Sequence, residues 1–210
     1  MESTKNKMVN DRKSKFVYWP DLAIMLGGLL MVPLWLIYTT VHGPTSFDRT
    51  GVVLGKSTLF WGSLLGGIPN LLIALGLIGR YPILARQSGR LARIGYALTL
   101  FGLIVPAVVD LLTVGLGPPL LIPFLGVGLV LTAVGNRRSP HLHWRTQIAL
   151  LLMGLLMLGA FAWAIMIPDT LSDQNHPIIR FGAYRIYGFQ AHFLAGIGWI
   201  LLGYFLKKDA

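Results

Sequence analysis

Six apolar runs divide this chain, and the positive charge between them alternates. Fourteen of the 18 Lys and Arg residues fall in four of the seven stretches that flank the runs. Lys5, Lys7, Arg12, Lys13 and Lys15 precede the first run; Arg80, Arg86, Arg90 and Arg93 follow the second. Arg137, Arg138 and Arg145 follow the fourth, and Lys207 and Lys208 the sixth. The remaining stretches hold only Arg49, Lys56, Arg180 and Arg185. Cations are retained on the cytoplasmic side of a membrane, so this alternation encodes a topology. It predicts an all-α integral membrane protein: a six-transmembrane-helix bundle in the plasma membrane, with N-terminus and C-terminus cytoplasmic.

Composition agrees. Hydrophobic residues make up 54% of the 210 and charged residues 12%, whereas charged residues are about a quarter of a soluble domain. At about 20 residues per crossing, spans are expected near 21–41, 59–79, 91–114, 120–134, 147–167 and 186–206. That leaves residues 1–20 as a basic cytoplasmic tail, 207–210 as a short C-terminal tail, and no soluble domain. The first run is long enough to span and no A-x-A-like cleavage site follows it, so the tail is expected to be retained rather than removed as a signal peptide. Tyr18, Trp19, Trp35 and Tyr38 stand where aromatic anchors meet the two water boundaries. The alternative for spans 3 and 4 is a re-entrant hairpin, suggested by Pro106, Pro118, Pro119 and Pro123.

The net charge of +10 sits beside span ends, which points to anionic lipid at the cytoplasmic face and away from nucleic acid. Arg80, Arg86, Arg90 and Arg93, with no acid among them, are the expected lipid-contacting set. There is no cysteine, which excludes disulfides, thiolate metal sites and cysteine nucleophiles. No phosphate-binding loop, zinc-protease motif or nucleophile elbow occurs. No catalytic residue and no metal site is therefore assigned.

Small residues four apart share a helix face and let backbones approach. Such pairs are Gly62 and Gly66, Ser63 and Gly67, Ala160 and Ala164, and the series Gly188, His192, Gly196. Polar groups at membrane depth are few, so each is a default functional candidate. Asp110, His192, Asn70 and His42 are the four that a substrate or ion path would use, with Gln190 close to His192. Were spans 1, 3 and 6 neighbours, Asp110, His42 and His192 would line one outward-facing pocket. No cofactor is called for; His42 and His192 form the one pair that could serve as axial ligands to haem or a pigment.

Three functions fit this pattern. The leading expectation is a non-enzymatic accessory or assembly subunit, acting through helix–helix contacts in a homo-oligomer or larger membrane complex. The second is a small oligomeric transporter or channel using Asp110, His192 and Asn70. The third is a membrane enzyme acting on lipid or quinone, with His192 as base.

Overall fold

The computed structural model describes residues 18–42, 52–113, 121–166 and 189–209. Helix α1 is Trp19–His42, with Asp21 in its first turn and Pro33 inside it. A hairpin follows, strand β1 (Val52–Val53) antiparallel to β2 (Lys56–Ser57), with Val52 opposite Ser57 and Val53 opposite Lys56. Its two loop residues, Leu54 at φ 49° and Gly55 at φ 72°, are both left-handed, as a tight two-residue hairpin turn requires.

Helix α2 (Thr58–Gly79) starts where the Ser57 hydroxyl accepts the Phe60 N–H at 3.2 Å, which satisfies one of the orphan donors of a helix start. A π-wound turn, Pro82–Arg86, leads into α3 (Arg90–Thr113). Helix α4 (Ile122–Gly135) carries a proline in its first turn, where the missing N–H costs nothing. Helix α5 is Trp144–Met166. A second π-wound segment, Phe189–Leu194, runs directly into α6 (Ala195–Asp209).

Among the described residues the structure is all-α apart from the hairpin. Three helices are long and apolar enough to cross a membrane: Arg90–Thr113, Trp144–Ala162 and Phe189–Asp209. Three shorter apolar stretches accompany them, Trp19–Pro33, Gly66–Gly79 and Ile122–Gly135. The 24 residues of α3 reach about 36 Å at 1.5 Å each, beyond the roughly 30 Å hydrocarbon core. The 14 of α4 reach only about 21 Å.

Two boundaries differ from the hydropathy reading. Helix α5 begins at Trp144, three residues before the expected start, and α6 runs through Lys207, Lys208 and Asp209 rather than yielding to a tail. Hydropathy marks where apolar residues stop, whereas a helix stops where its hydrogen bonds do. Here Asp209 is held by α5, accepting the Thr146 hydroxyl at 2.7 Å and the His143 N–H at 3.2 Å.

Each helix packs on its neighbours in the chain, and α6 returns to α1, so the helices form a ring; the α5–α6 junction is the narrowest. The core within it is built from Ile24, Ile73, Leu77, Leu103, Leu129 and Trp199, among others. Large apolar side chains also point outward, including Leu26, Leu29, Leu112, Leu152 and Leu155. In water such a surface would aggregate; against lipid tails it is at home, and small residues mark the helix contacts instead.

Three glycine pairs make reciprocal close approaches. A Cβ on Gly28 would lie 2.5 Å from the Gly196 carbonyl oxygen, and one on Gly196 2.7 Å from that of Gly28. Gly95 and Gly128 stand in the same reciprocal relation at 2.7 Å each way, and Gly126 and Gly154 at 3.0 and 2.7 Å. Thus α1 touches α6, α3 touches α4 and α4 touches α5 backbone to backbone. All three contacts require the absence of a side chain.

The candidate functional site

The ring has two unlike ends. One end collects Trp19, Arg80, Arg86, Arg90, Arg93, Asn136, Trp144 and Lys208, and is called here the basic end. The other end carries the hairpin, Asp110, Trp35 and the π-wound segment of residues 189–194.

At the basic end the helices are tied by buried polar groups. Asp21 and Arg80 are 1% and 6% exposed, so their charges must be met inside the protein. Arg80 Nε donates to Asp21 Oδ1 at 2.7 Å, and Nη2 donates to Oδ2. This two-pronged ion pair joins the start of α1 to the residue that ends α2. It corrects one expectation: Arg80 is withdrawn from the lipid-contacting set, because its guanidinium is buried against a carboxylate. Arg86, Arg90 and Arg93 are exposed, and the Arg93 guanidinium donates to the Arg86 carbonyl at 3.4 Å.

Asn136 is completely buried, yet its amide is well used. Its nitrogen donates to the Leu84 and Thr132 carbonyls at 2.9 Å each, and its oxygen accepts the Ser88 hydroxyl. The loop after α2 is thereby fastened to the end of α4. The Tyr96 hydroxyl donates to the Leu77 carbonyl at 3.1 Å, linking α3 to α2.

The far end holds most of the sequence candidates. On α2 the Asn70 amide donates back to the Gly66 carbonyl at 2.7 Å. The Asp110 carboxylate of α3 lies directly over Gly66, in the space a Cβ there would need. Asn70, Gly66 and Asp110 therefore meet at the α2–α3 contact, and Leu111 covers Gly67 beside them. Ser63 is buried, and its hydroxyl donates to the Phe60 carbonyl at 2.9 Å.

His192 is elsewhere. It lies on the π-wound segment, which packs on α1 and α5, while α3 packs on α2 and α4. The main packing of Asp110's helix and of His192's segment is thus on different neighbours, the latter's contacts being with α1, α5 and α6. Gly188 lies outside the described residues, as do the side-chain surroundings of His42, Gly62 and Ala164. Ala160 is buried within the bundle and Gly196 is spent on Gly28.

The π-wound segment presents an arrangement that hydropathy gave no sign of. Phe189 and Phe193 stack with centroids 5.3 Å apart, and Trp35 of α1 meets them edge-on and tilted at 5.6 and 5.5 Å. Such ring pairs are worth about 0.5–1.5 kcal/mol beyond the area they bury. Beside them, two buried polar atoms have no partner among the described residues: the Trp35 indole nitrogen and the Gln190 side-chain oxygen. One is a donor and the other an acceptor. A Cβ on Gly159 of α5 would meet, among described atoms, only that Gln190 oxygen at 3.8 Å. Single π turns recur at functional sites because they re-aim side chains without ending the helix.

The sequence carried one usable hint of this place. Phe189-Gln190-Ala191-His192-Phe193 interleaves aromatic and polar residues at the head of an otherwise apolar run. Among the described residues no three His, Asp or Glu side chains converge as metal ligands would. No protein-family model, curated protein or solved structure matches this chain.

Proposed function

We propose that the chain is a six-span integral protein of the cytoplasmic membrane, both ends on the cytoplasmic side, whose work is non-covalent binding. The alternation of Lys and Arg supports the orientation, since every described Lys and Arg except Lys56 belongs to one end of the ring. The lipid-like exterior and the three long and three shorter apolar helices support the crossings.

The observation that carries the binding reading is the buried, unpartnered pair of Trp35 Nε1–H and Gln190 Oε1 beside the stacked Phe189 and Phe193 rings. An unmet buried polar group costs about 1–3 kcal/mol, which a ligand that both accepts and donates would recover. The complementary molecule is flat, mostly apolar and hydroxylated, entering from the membrane. A second reading draws on the meeting of Asp110 and Asn70 over Gly66: an ion or proton step in a small oligomeric transporter, which Asp110→Asn would abolish without loss of folding.

Association with other subunits through small-residue faces has less to rest on. Gly66, Gly67 and Gly196 are each filled by a helix of the same chain. The deciding experiment is gentle extraction from the native membrane, followed by particle mass, absorption spectrum and mass analysis of what denaturation releases. A ring-bearing hydroxylated molecule released by the wild type and lost in Trp35→Phe/Gln190→Leu is the expected result. A wild type that yields no such molecule, and a double variant more stable than it, would overturn the binding reading. A large particle with other polypeptides would restore the subunit reading in its place.

A further inference from the structure

We infer that the cleft between the basic ends of α5 and α6 is a binding site for the phosphate of one anionic phospholipid. The cleft encloses about 220 Å³ and is lined by His143, Arg145, Thr146, Phe205, Lys208 and Asp209. Arg145 and Lys208 bring two positive charges, and among the described residues neither forms an ion pair. The one carboxylate in the cleft, Asp209, is already engaged by the Thr146 hydroxyl at 2.7 Å and the His143 N–H at 3.2 Å. Both bonds fall on Oδ2, which turns that oxygen toward the α5 start, and neither cation forms an ion pair with Asp209.

Their present contacts are with rings. The Arg145 guanidinium lies 5.7 Å from the centre of the Trp144 ring, and Lys208 Nζ 4.5 Å from that of Tyr204. Trp144 and Tyr204 are 58% and 44% exposed, and such amphipathic rings sit at headgroup depth. A phosphate drawn between a guanidinium fork and an ammonium is a common pairing, the fork supplying two parallel donors. Phe205 gives the cleft an apolar wall, which favours a headgroup attached to acyl chains over a free anion. The inference rests on the membrane placement proposed above and is independent of the Trp35–Gln190 site.

The test uses the full chain in nanodiscs of mixed phosphatidylglycerol and phosphatidylcholine, with retained lipid counted by native mass spectrometry. The wild type should hold one phosphatidylglycerol per chain against dilution by phosphatidylcholine. Each cation removed should weaken retention about fivefold, so Arg145→Gln/Lys208→Gln should weaken it by about 25-fold. Lys208→Arg should keep the lipid, and Arg137→Gln/Arg138→Gln, exposed at the same end and outside the cleft lining, should leave the count unchanged. Thermal unfolding of each variant verifies folding, and Lys208→Gln alone serves if the double variant does not fold. Equal retention by the wild type and the Gln variants overturns the site. Displacement of the lipid by inorganic phosphate alone, sensitive to Arg145→Gln, would assign the cleft to a soluble anion and overturn the lipid.

Discussion

Replacing Arg80 with methionine tests whether the Asp21–Arg80 pair holds the basic end together. The substitution keeps the length of the side chain and removes its charge, leaving the Asp21 carboxylate 1% exposed with nothing opposite. Unit charges about 4 Å apart attract by about 4 kcal/mol at an effective dielectric of 20. Breaking a buried pair by removing one partner costs about 3–5 kcal/mol, since the survivor remains desolvated. The ratio of folded to unfolded protein should fall by between about 100-fold and a few thousand-fold. Asp21→Leu should do the same. The double variant Asp21→Leu/Arg80→Met should recover most of the loss, because a packed apolar pair is often as stable as a buried ionic one. Reversible unfolding in mixed micelles, followed by tryptophan fluorescence, measures all three. Single losses below about 1 kcal/mol, the range of an exposed pair, would refute the reasoning, as would a double variant that costs the sum of the singles.

The glycine contacts should behave as rigid stops. Gly28→Ala and Gly196→Ala should each cost about 1–3 kcal/mol as overpacking does, while Gly89→Ala, with nothing within 4 Å of its Cβ, should stay within about 0.5 kcal/mol. The same unfolding assay reads both. Asn136→Leu should cost about 2 kcal/mol or more, because the Leu84 carbonyl and Ser88 hydroxyl lose their partner, and Ser88→Ala clearly less; equal losses would sink that account. Because the chain has no cysteine, single substitutions report sidedness directly. A membrane-impermeant maleimide should label Leu54→Cys on intact cells and Gln87→Cys only after permeabilisation, and labelling of both from one side would overturn the six-span orientation.

The helices themselves were legible because a membrane-like run of apolar residues has few alternatives to helix once backbone groups must be satisfied internally. Their neighbours were not. In a soluble helix the apolar stripe names the packed face, but here both the core face and the outer face are apolar, so Leu26 and Ile24 look alike in sequence and differ entirely in burial. Asp21 read as a boundary residue because it stands at the start of a run, and its partner is 59 positions away. Gly66 was visible as a small residue on a helix, while Gly28 and Gly196 needed the structure to be matched. The π winding at Phe189–Leu194 leaves hydropathy unchanged, and only the interleaved aromatic and polar residues there hinted at the place. Asn70 and Asp110 were visible as isolated polar groups, and their meeting over Gly66 became apparent only when α2 was laid against α3.

The glycine contacts also divide the ring mechanically. Backbone meets backbone between α3, α4 and α5, and between α6 and α1; Gly27 adds α2 to the latter, its Cβ position 2.6 Å from the Pro69 carbonyl oxygen. Those are two blocks, α3–α4–α5 and α6–α1–α2, inside which no rotamer can take up slack. Between the blocks lie two seams where only side chains intervene: Asp110 and Leu111 over Gly66 and Gly67 on one side, Met153 over Gly198 and Gln190 beside Gly159 on the other. Interfaces of that kind can slide or rock at the cost of a few rotamers, while closely keyed ones move as units. Asp110, Gln190, Arg145 and Lys208 all stand along these two seams, so a shift of one block against the other would reach these four groups at once.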